Sequence, residues 1–244
     1  MGTCCDVAQN TNQLSSMLAR PVKRTEMPSP LRIEYLQGMW GRAYPLVLLC
    51  EYKSINYIYE EIDSYSLRER KDAGDLGELG GFPIVYFWGE EMQETSAVLR
   101  ALGAEHGLYN PNDWKKAGKI DMTVSTYTEC FNACAEIMFS IPFDLRVTAL
   151  ELLSEGLLAK FLAICEKELE QNSYSRFIVG DTLTIADFVL AAFYFNILKN
   201  EKTPFAEAFK MALLKAPYVG AHGKRMLQEF KSEHLTMSQR QFTF

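Results

Sequence analysis

The stretch from Leu31 to Tyr52, LRIEYLQGMWGRAYPLVLLCEY, changes its hydrophobic period halfway along. Its first six residues alternate between apolar and polar side chains, the pattern of a strand with one buried face. From Gly41 onward the spacing is helical, which places Leu46, Leu49 and Cys50 on one face. The stretch therefore predicts a strand, a short loop and a helix.

The residues that follow continue this alternation of strands and helices. Residues 55–62 alternate again, residues 64–80 are charged and glycine-rich, and residues 83–87 (PIVYF) form a short apolar run. We expect a strand, a loop with room for a short helix, and a buried strand. An edge strand starting at Glu91 and a helix over 95–102 complete the order β-α-β-(α)-β-β-α.

The second half of the chain has only helical periodicity, after a linker at residues 105–113. We expect its last helix at residues 218–230. Its clearest apolar stripe steps by three and four residues along Leu150, Leu153, Leu157, Phe161 and Ile164.

Residues 177–188 (FIVGDTLTIADF) contain a helix start. Thr184 is the predicted N-cap and Asp187 is the acid of a capping box, while Leu183 and Phe188 form a hydrophobic staple. We interpret Thr184 and Asp187 as structural residues that fold the helical half.

A mixed α/β half followed by an all-α half predicts two packed domains with a cleft between them. The predicted boundaries are an N-terminal extension at 1–30, a first domain at 31–104, a helical domain at 112–235 and a C-terminal tail at 236–244.

Bulk composition excludes several classes of protein. The 244 residues carry a net charge of −6, which gives no basic face of the kind that nucleic acid binding needs. The longest apolar runs, such as residues 45–50, are far shorter than the roughly 20 residues that span a bilayer. The three histidines have no partner at metal-ligand spacing, so we expect no metal.

The cysteines form no disulfide framework and the chain has no secretory apolar segment, so we expect a reducing, cytoplasmic location. Cys50 and Cys165 stand among apolar neighbours and are expected in the core. The start MGTCCD resembles an acylation signal, although myristoylation favours Ser or Thr where Asp6 stands. Two interpretations of this N-terminal segment stay open, namely a lipid-modified membrane anchor and an unattached polar terminus.

Three segments stand in an order and at separations that together form a known pattern. They are residues 35–43 (YLQGMWGRA), residues 81–100 (GFPI, then Gly89, then ET and AVLR) and residues 177–188 with their GDTLTIAD run. Over residues 31–235 the chain resembles the cytosolic glutathione transferases of the tyrosine type, the sigma, mu and alpha classes. The resemblance implies a thioredoxin-like glutathione-binding domain, an all-helical domain, glutathione as co-substrate and a homodimer.

The resemblance assigns the chemistry to Tyr35 and Arg42. A free thiol has a pKa of about 8.5, so little of the nucleophilic thiolate exists at neutral pH. A hydroxyl that donates a hydrogen bond to the thiolate favours the charged form, and Tyr35 is the expected donor. The positive charge of Arg42 at the helix start would further stabilise the thiolate.

The same resemblance implies the residues that hold glutathione. Thr95 would bind the γ-glutamyl carboxylate at a helix N-terminus, and Glu94 would accept from the ammonium. A cis peptide bond at Pro83 would expose the backbone of Phe82. The cysteinyl group of glutathione would then form backbone hydrogen bonds with Phe82, as a strand added to a sheet does. Asp121 would reach the glutathione of a partner subunit.

Two departures from the family pattern bear on this site. Six residues separate Tyr35 from Gly41, where the family usually has five. The extra residue either stays in the loop at 37–39 or tilts the hydroxyl away. The family's residues for the glycyl carboxylate have no match, and Arg70 and Lys71 are the nearest substitutes.

Each assignment has a simpler interpretation beside it. Tyr35 is also consistent with an ordinary tyrosine in a strand, and Glu94 with Thr95 is consistent with an ordinary helix start. Arg42 is equally explained as a surface charge, and Asp121 as a solvent-exposed acid. Two further groups are more simply explained as core and as a solvated charge run: Phe131, Met138, Phe139 and Phe143, and Arg68, Arg70 and Lys71.

The leading function is conjugation of glutathione to small apolar electrophiles. The alternative is a non-catalytic subunit that keeps this fold as a structural or interaction component of a larger assembly. A thiol-disulfide oxidoreductase on the same fold needs a cysteine after the first strand, and residues 35–45 contain none.

Overall fold

A computed structural model describes residues 30–172, 175–201 and 205–230. The acylation signal, almost all of the predicted extension and the predicted tail at 236–244 lie outside these residues. Within them, no helix combines the length and the apolar character that crossing a membrane requires.

The first domain follows the predicted element order. It consists of β1 (Leu31–Leu36), a 3₁₀ turn (Gly41–Ala43), α1 (Tyr44–Tyr52), β2 (Tyr57–Ile62), α2 (Ser64–Asp72), β3 (Ile84–Phe87), β4 (Glu90–Met92) and α3 (Thr95–Glu105). The charged segment after β2 does form a helix, because the Asp63 carboxylate caps it by accepting from the N–H groups of Tyr65 and Ser66 at 2.8 Å.

The four strands form one mixed sheet in the order β2-β1-β3-β4. β1 runs parallel to β2, with Tyr35 opposite Glu61, and antiparallel to β3, with Glu34 opposite Ile84. The parallel step needs the crossover helix α1, which packs against the sheet with a fully apolar inner surface. This is the thioredoxin-like arrangement that the sequence predicts.

The second domain is entirely helical over its described residues. Its elements are α4 (Trp114–Phe139), a 3₁₀ turn (Phe143–Leu145), α5 (Arg146–Glu155), α6 (Leu157–Gln171), α7 (Ile185–Phe193), a π turn (Tyr194–Leu198), α8 (Ala206–Leu214) and α9 (Pro217–Glu229). Helix α1 of the first domain packs on α7, where Tyr52 meets Phe188 edge-on at 5.7 Å, so one apolar core continues through both domains.

The apolar stripe that starts at Leu150 runs over two helices, because Gly156 adopts φ −98° and ψ −101° and separates α5 from α6. One prediction about the helical half is wrong in detail. Phe139 and Phe143 were expected in the core but are 58% and 77% exposed. They lie at the end of α4 and in the turn after it, beyond the neighbouring helices.

The predicted capping box forms at the start of α7. The buried Asp187 carboxylate accepts from the Thr184 N–H at 2.9 Å and from the Thr184 hydroxyl at 3.1 Å. It also accepts from the Ile178 N–H at 2.9 Å and pairs with Nε2 of His222 at 3.0 Å. One carboxylate thus joins α7, the loop before it and α9.

Replacing Asp187 with Ala should lower the free energy of unfolding by about 3 kcal/mol, because it leaves several buried donors unpaired. Chemical denaturation measures the change. The exposed Asp181→Ala variant is the matched control and should change stability by less than about 0.5 kcal/mol. Equal losses in the two variants would contradict a stabilising role for the Asp187 bonds.

Candidate functional site

A cavity of about 260 Å³ lies where the first domain meets α4. Two groups of residues line it. The first domain contributes Arg42, Leu79, Gly81, Phe82, Pro83, Gln93, Glu94 and Thr95, and α4 contributes Tyr127, Thr128, Phe131 and Asn132. The sequence-predicted residues Arg42, Phe82, Pro83, Glu94 and Thr95 are therefore brought together on one wall.

The Phe82–Pro83 peptide bond is cis and stands just before β3. Neither the N–H nor the C=O of Phe82 makes a hydrogen bond to any other described residue. Backbone groups of this kind require partners, and an extended peptide in the cavity would supply them. Phe82 therefore offers one free donor and one free acceptor to a bound backbone.

Glu94 and Thr95 form the second polar part of the cavity. Glu94 has φ 63° and ψ 103°, a conformation that non-glycine residues rarely adopt. It places an exposed carboxylate directly before α3. The Thr95 hydroxyl donates to the Arg42 C=O at 3.0 Å. The Ala97 and Val98 N–H groups donate to the Glu94 C=O, so the N–H groups of Thr95 and Ser96 are the ones that a helix start leaves for an anion.

Tyr35 ends its strand with its side chain buried, at 3% exposure, and it is not one of the residues that line the cavity. Its hydroxyl accepts a hydrogen bond from the Arg42 N–H at 2.9 Å. Burial raises the pKa of Tyr35, and the Arg42 N–H partly offsets this. The phenol is therefore protonated at neutral pH, and its own O–H remains a donor.

The Tyr35 ring lies directly on Gly41. A Cβ at this position would overlap the Tyr35 hydroxyl and ring, and the Gly41 φ of +42° also favours glycine. With the six-residue spacing, the Tyr35 hydroxyl meets the Gly41–Arg42 turn.

Arg42 is part of the site and not a free surface charge. Its Nε and one terminal nitrogen both donate to Oδ1 of Asn132, at 3.0 and 2.9 Å. The guanidinium lies 5.9 Å from the centre of the Phe131 ring. Because Asn132 and Phe131 belong to α4, the arginine joins the two domains across the cavity.

Arg70 and Lys71 do not line the cavity, although the Arg70 guanidinium lies 5.5 Å from the centre of the Phe82 ring. The Arg70 guanidinium donates to the buried Glu34 carboxylate at 2.9 Å and to the Asp75 C=O at 2.9 Å. Lys71 is exposed on α2, and neither residue lines the cavity. The physical reason is Glu34, whose buried charge needs a cation beside it.

Asp121 lies on α4, outside the lining of this cavity. Its carboxylate accepts from Nε of Arg100 at 2.7 Å and from the Tyr109 hydroxyl at 3.0 Å. These bonds join α3 and the linker after it to α4. The contact with the glutathione of a partner subunit stays a prediction.

Sequence reasoning did not assign six further residues of the cavity wall to the site, namely Leu79, Gly81, Gln93, Tyr127, Thr128 and Asn132. Tyr127, Thr128 and Asn132 share one face of α4 with Phe131, since their spacing of one, four and five residues is helical. Gln93 accepts from the Leu79 N–H at 2.7 Å and fixes the loop above the cavity. The sequence shows the helical spacing, but it does not show that this face of α4 borders the first domain.

The described cysteines offer no accessible nucleophile. Cys50, Cys130, Cys134 and Cys165 are all buried, and burial raises the pKa of the Cys50 thiol to about 12. Among the described residues, no three His, Cys, Asp or Glu side chains are grouped as metal ligands.

Comparisons with known proteins agree with this architecture. The family model described as "Glutathione S-transferase, C-terminal domain" matches residues 134–231. Glutathione S-transferase P 1 of Xenopus laevis is 28% identical over 155 residues, which are 62% of this chain and 69% of that protein.

Solved structures share the fold at lower identity. A Pi-class glutathione S-transferase of Onchocerca volvulus is 20% identical, with a TM-score of 0.68 over 83% of this chain and 91% of the other. A monomeric glutathione S-transferase of the hookworm Necator americanus is 19% identical, with the same TM-score over 83% and 95%. The fold is that of the glutathione transferases, and residues 134–231 match the C-terminal domain of that family.

Replacing Gly41 with Ala should destabilise the protein and displace the Tyr35 hydroxyl. The positive φ costs about 1 kcal/mol for an alanine, and the overlap with Tyr35 adds about 2 kcal/mol. Gly38→Ala is the matched control, because Gly38 has φ +73° but open space around it. Denaturation curves should show the larger loss at Gly41, and equal losses would show that the Tyr35 contact does not matter.

Proposed function

We propose that this chain binds glutathione in the cavity and adds its thiol to small apolar electrophiles. The observation that carries the proposal is the unpaired backbone of Phe82 on the cavity wall, next to a helix N-terminus and a carboxylate. A tripeptide with a free carboxylate, an ammonium and an extended backbone matches those three features. The match of residues 134–231 to a glutathione S-transferase C-terminal domain and the similarity to a glutathione S-transferase of Xenopus laevis support the same ligand.

Every polar part of glutathione except the glycyl carboxylate has a complementary group in the cavity. The cysteinyl backbone pairs with the N–H and C=O of Phe82, as an added strand would. The γ-glutamyl carboxylate binds at the first turn of α3, where the Thr95 N–H and the helix dipole favour an anion. The Glu94 carboxylate accepts from the ammonium. The glycyl carboxylate has no assigned residue, because Arg70 is engaged with Glu34.

Tyr35 stabilises the thiolate in this proposal. Its hydroxyl accepts from the Arg42 N–H, which polarises the O–H and makes it a better donor. Lowering the thiol pKa by two units takes about 2.7 kcal/mol. One hydrogen bond to the anion, together with the positive charge of Arg42, is of the right size.

The electrophile meets the thiolate from the α4 side. Phe131 and the ring of Tyr127 give that wall apolar surface, and Thr128 gives it one hydroxyl. Such a wall suits small apolar molecules, with few polar groups to select among them. We further propose that the protein is cytoplasmic and acts as a homodimer or as a subunit of an assembly.

In the non-catalytic alternative, the protein has the same cavity but does not conjugate glutathione to electrophiles. It gains weight from one observation, the position of Tyr35 behind the residues that line the cavity. It predicts glutathione binding without turnover.

Tyr35→Phe should reduce kcat/KM for conjugation of 1-chloro-2,4-dinitrobenzene by about tenfold to a hundredfold, because it removes one hydrogen bond to the developing thiolate. The dissociation constant for glutathione at low pH, where the thiol is protonated, should stay within about twofold, since the bond forms mainly with the anion. Calorimetry and steady-state kinetics measure the two quantities.

The pH dependence of kcat/KM should also shift in a defined direction in the Tyr35→Phe variant. In the wild type, kcat/KM should rise with pH through the lowered pKa of the bound thiol. In Tyr35→Phe the midpoint should move up toward the free value of about 8.5. Wild-type protein that binds no glutathione would exclude the proposal, and binding without turnover would favour the non-catalytic alternative.

A further inference from the structure

One residue of the cavity wall carries a polar group that no described residue satisfies. Tyr127 is 3% exposed, and its hydroxyl oxygen has no hydrogen-bond partner among the described residues. Its side chain nevertheless forms part of the cavity lining. A buried hydroxyl without a partner is unfavourable, so this position calls for a polar atom supplied from outside the chain.

The Tyr127 ring is held too firmly to turn its hydroxyl toward solvent. Phe131 lies against it at 5.7 Å between ring centres, and Phe193 meets it edge-on at 6.1 Å with an interplanar angle of 85°. Aromatic packing of this kind fixes the ring within the core. The hydroxyl is therefore presented at one place, as a site for a ligand atom requires.

That place is shared with Tyr35 and Arg42. Burial is the largest influence and raises the pKa of Tyr127, a negative charge on Tyr35 would raise it further, and the positive charge of Arg42 lowers it. The geometry agrees: Arg42 lines the same cavity as Tyr127, its N–H donates to the Tyr35 hydroxyl at 2.9 Å, and its guanidinium lies 5.9 Å from the Phe131 ring that packs on Tyr127. Burial keeps Tyr127 protonated at neutral pH, so it can act only as a neutral hydroxyl with a hydrogen to donate.

We propose that the Tyr127 hydroxyl is a second hydrogen-bond donor to the glutathione thiolate, alongside Tyr35. The inference rests on the proposed function, since it requires glutathione in the cavity. The thiol loses its proton to solvent, and both tyrosines keep theirs and donate to the sulfur. Two donors from different domains, one on β1 and one on α4, then make formation of the thiolate depend on domain packing.

The direct test is titration of the bound thiol by the ultraviolet absorbance of the thiolate. Wild type, Tyr127→Phe, Tyr35→Phe and the control Tyr194→Phe are compared, each saturated with glutathione. Tyr194 is buried in the helical domain and does not line the cavity. Tyr127→Phe should reduce the thiolate fraction below the midpoint about tenfold, the effect of one hydrogen bond to a charged group. A titration identical to wild type would overturn the inference.

A second probe separates donation from shape. S-Methylglutathione has no thiol to ionise, so its affinity should be the same for wild type and Tyr127→Phe. Glutathione affinity, measured above the pKa of the bound thiol, should fall about tenfold in the variant. Equal losses for both ligands would show that Tyr127 only shapes the cavity and would overturn the inference.

The outcomes also distinguish this inference from the proposed function. If the wild type binds glutathione as a thiolate and only Tyr35→Phe alters its pKa, the proposed function stands and the role of Tyr127 falls. If the wild type binds no glutathione, both fall. The melting temperature of unliganded Tyr127→Phe should not drop, because the substitution removes an unpaired buried hydroxyl.

Discussion

The site depends on how residue 42 is held. Its N–H donates to the Tyr35 hydroxyl, its C=O accepts from the Thr95 hydroxyl, and its guanidinium bonds to Asn132. These partners belong to β1, the start of α3, and α4. One residue therefore fixes the end of the first strand, the start of α3 and the facing domain. Gly41 permits this arrangement, because a larger residue there would overlap the Tyr35 ring.

Local patterns were sufficient to predict the fold. The strand and helix of residues 31–52 show in the change of hydrophobic period, and the capping box at Thr184 and Asp187 lies within four residues. Such signals need no knowledge of distant contacts. The apolar stripe from Leu150 does not reveal the break between α5 and α6, because its periodicity continues across Gly156, where the backbone turns.

The site was predicted only where its residues are close in sequence or match the family pattern. Arg70 and Asp121 lie outside the cavity lining because they pair with Glu34 and Arg100, 36 and 21 residues away. Tyr127 and Asn132 were missed for the converse reason, since nothing near them in sequence shows that their face of α4 meets Arg42. Pairing between distant charges, together with domain packing, determines these positions.

The central claim is that a tripeptide pairs with the Phe82 backbone and brings its sulfur to the Tyr35 hydroxyl. A crystal structure with glutathione bound tests it most directly. The account predicts backbone hydrogen bonds between the cysteinyl group and Phe82, with the sulfur within hydrogen-bonding distance of the Tyr35 oxygen. Glutathione bound with Phe82 still unpaired, or with its sulfur directed away from Tyr35, would contradict it.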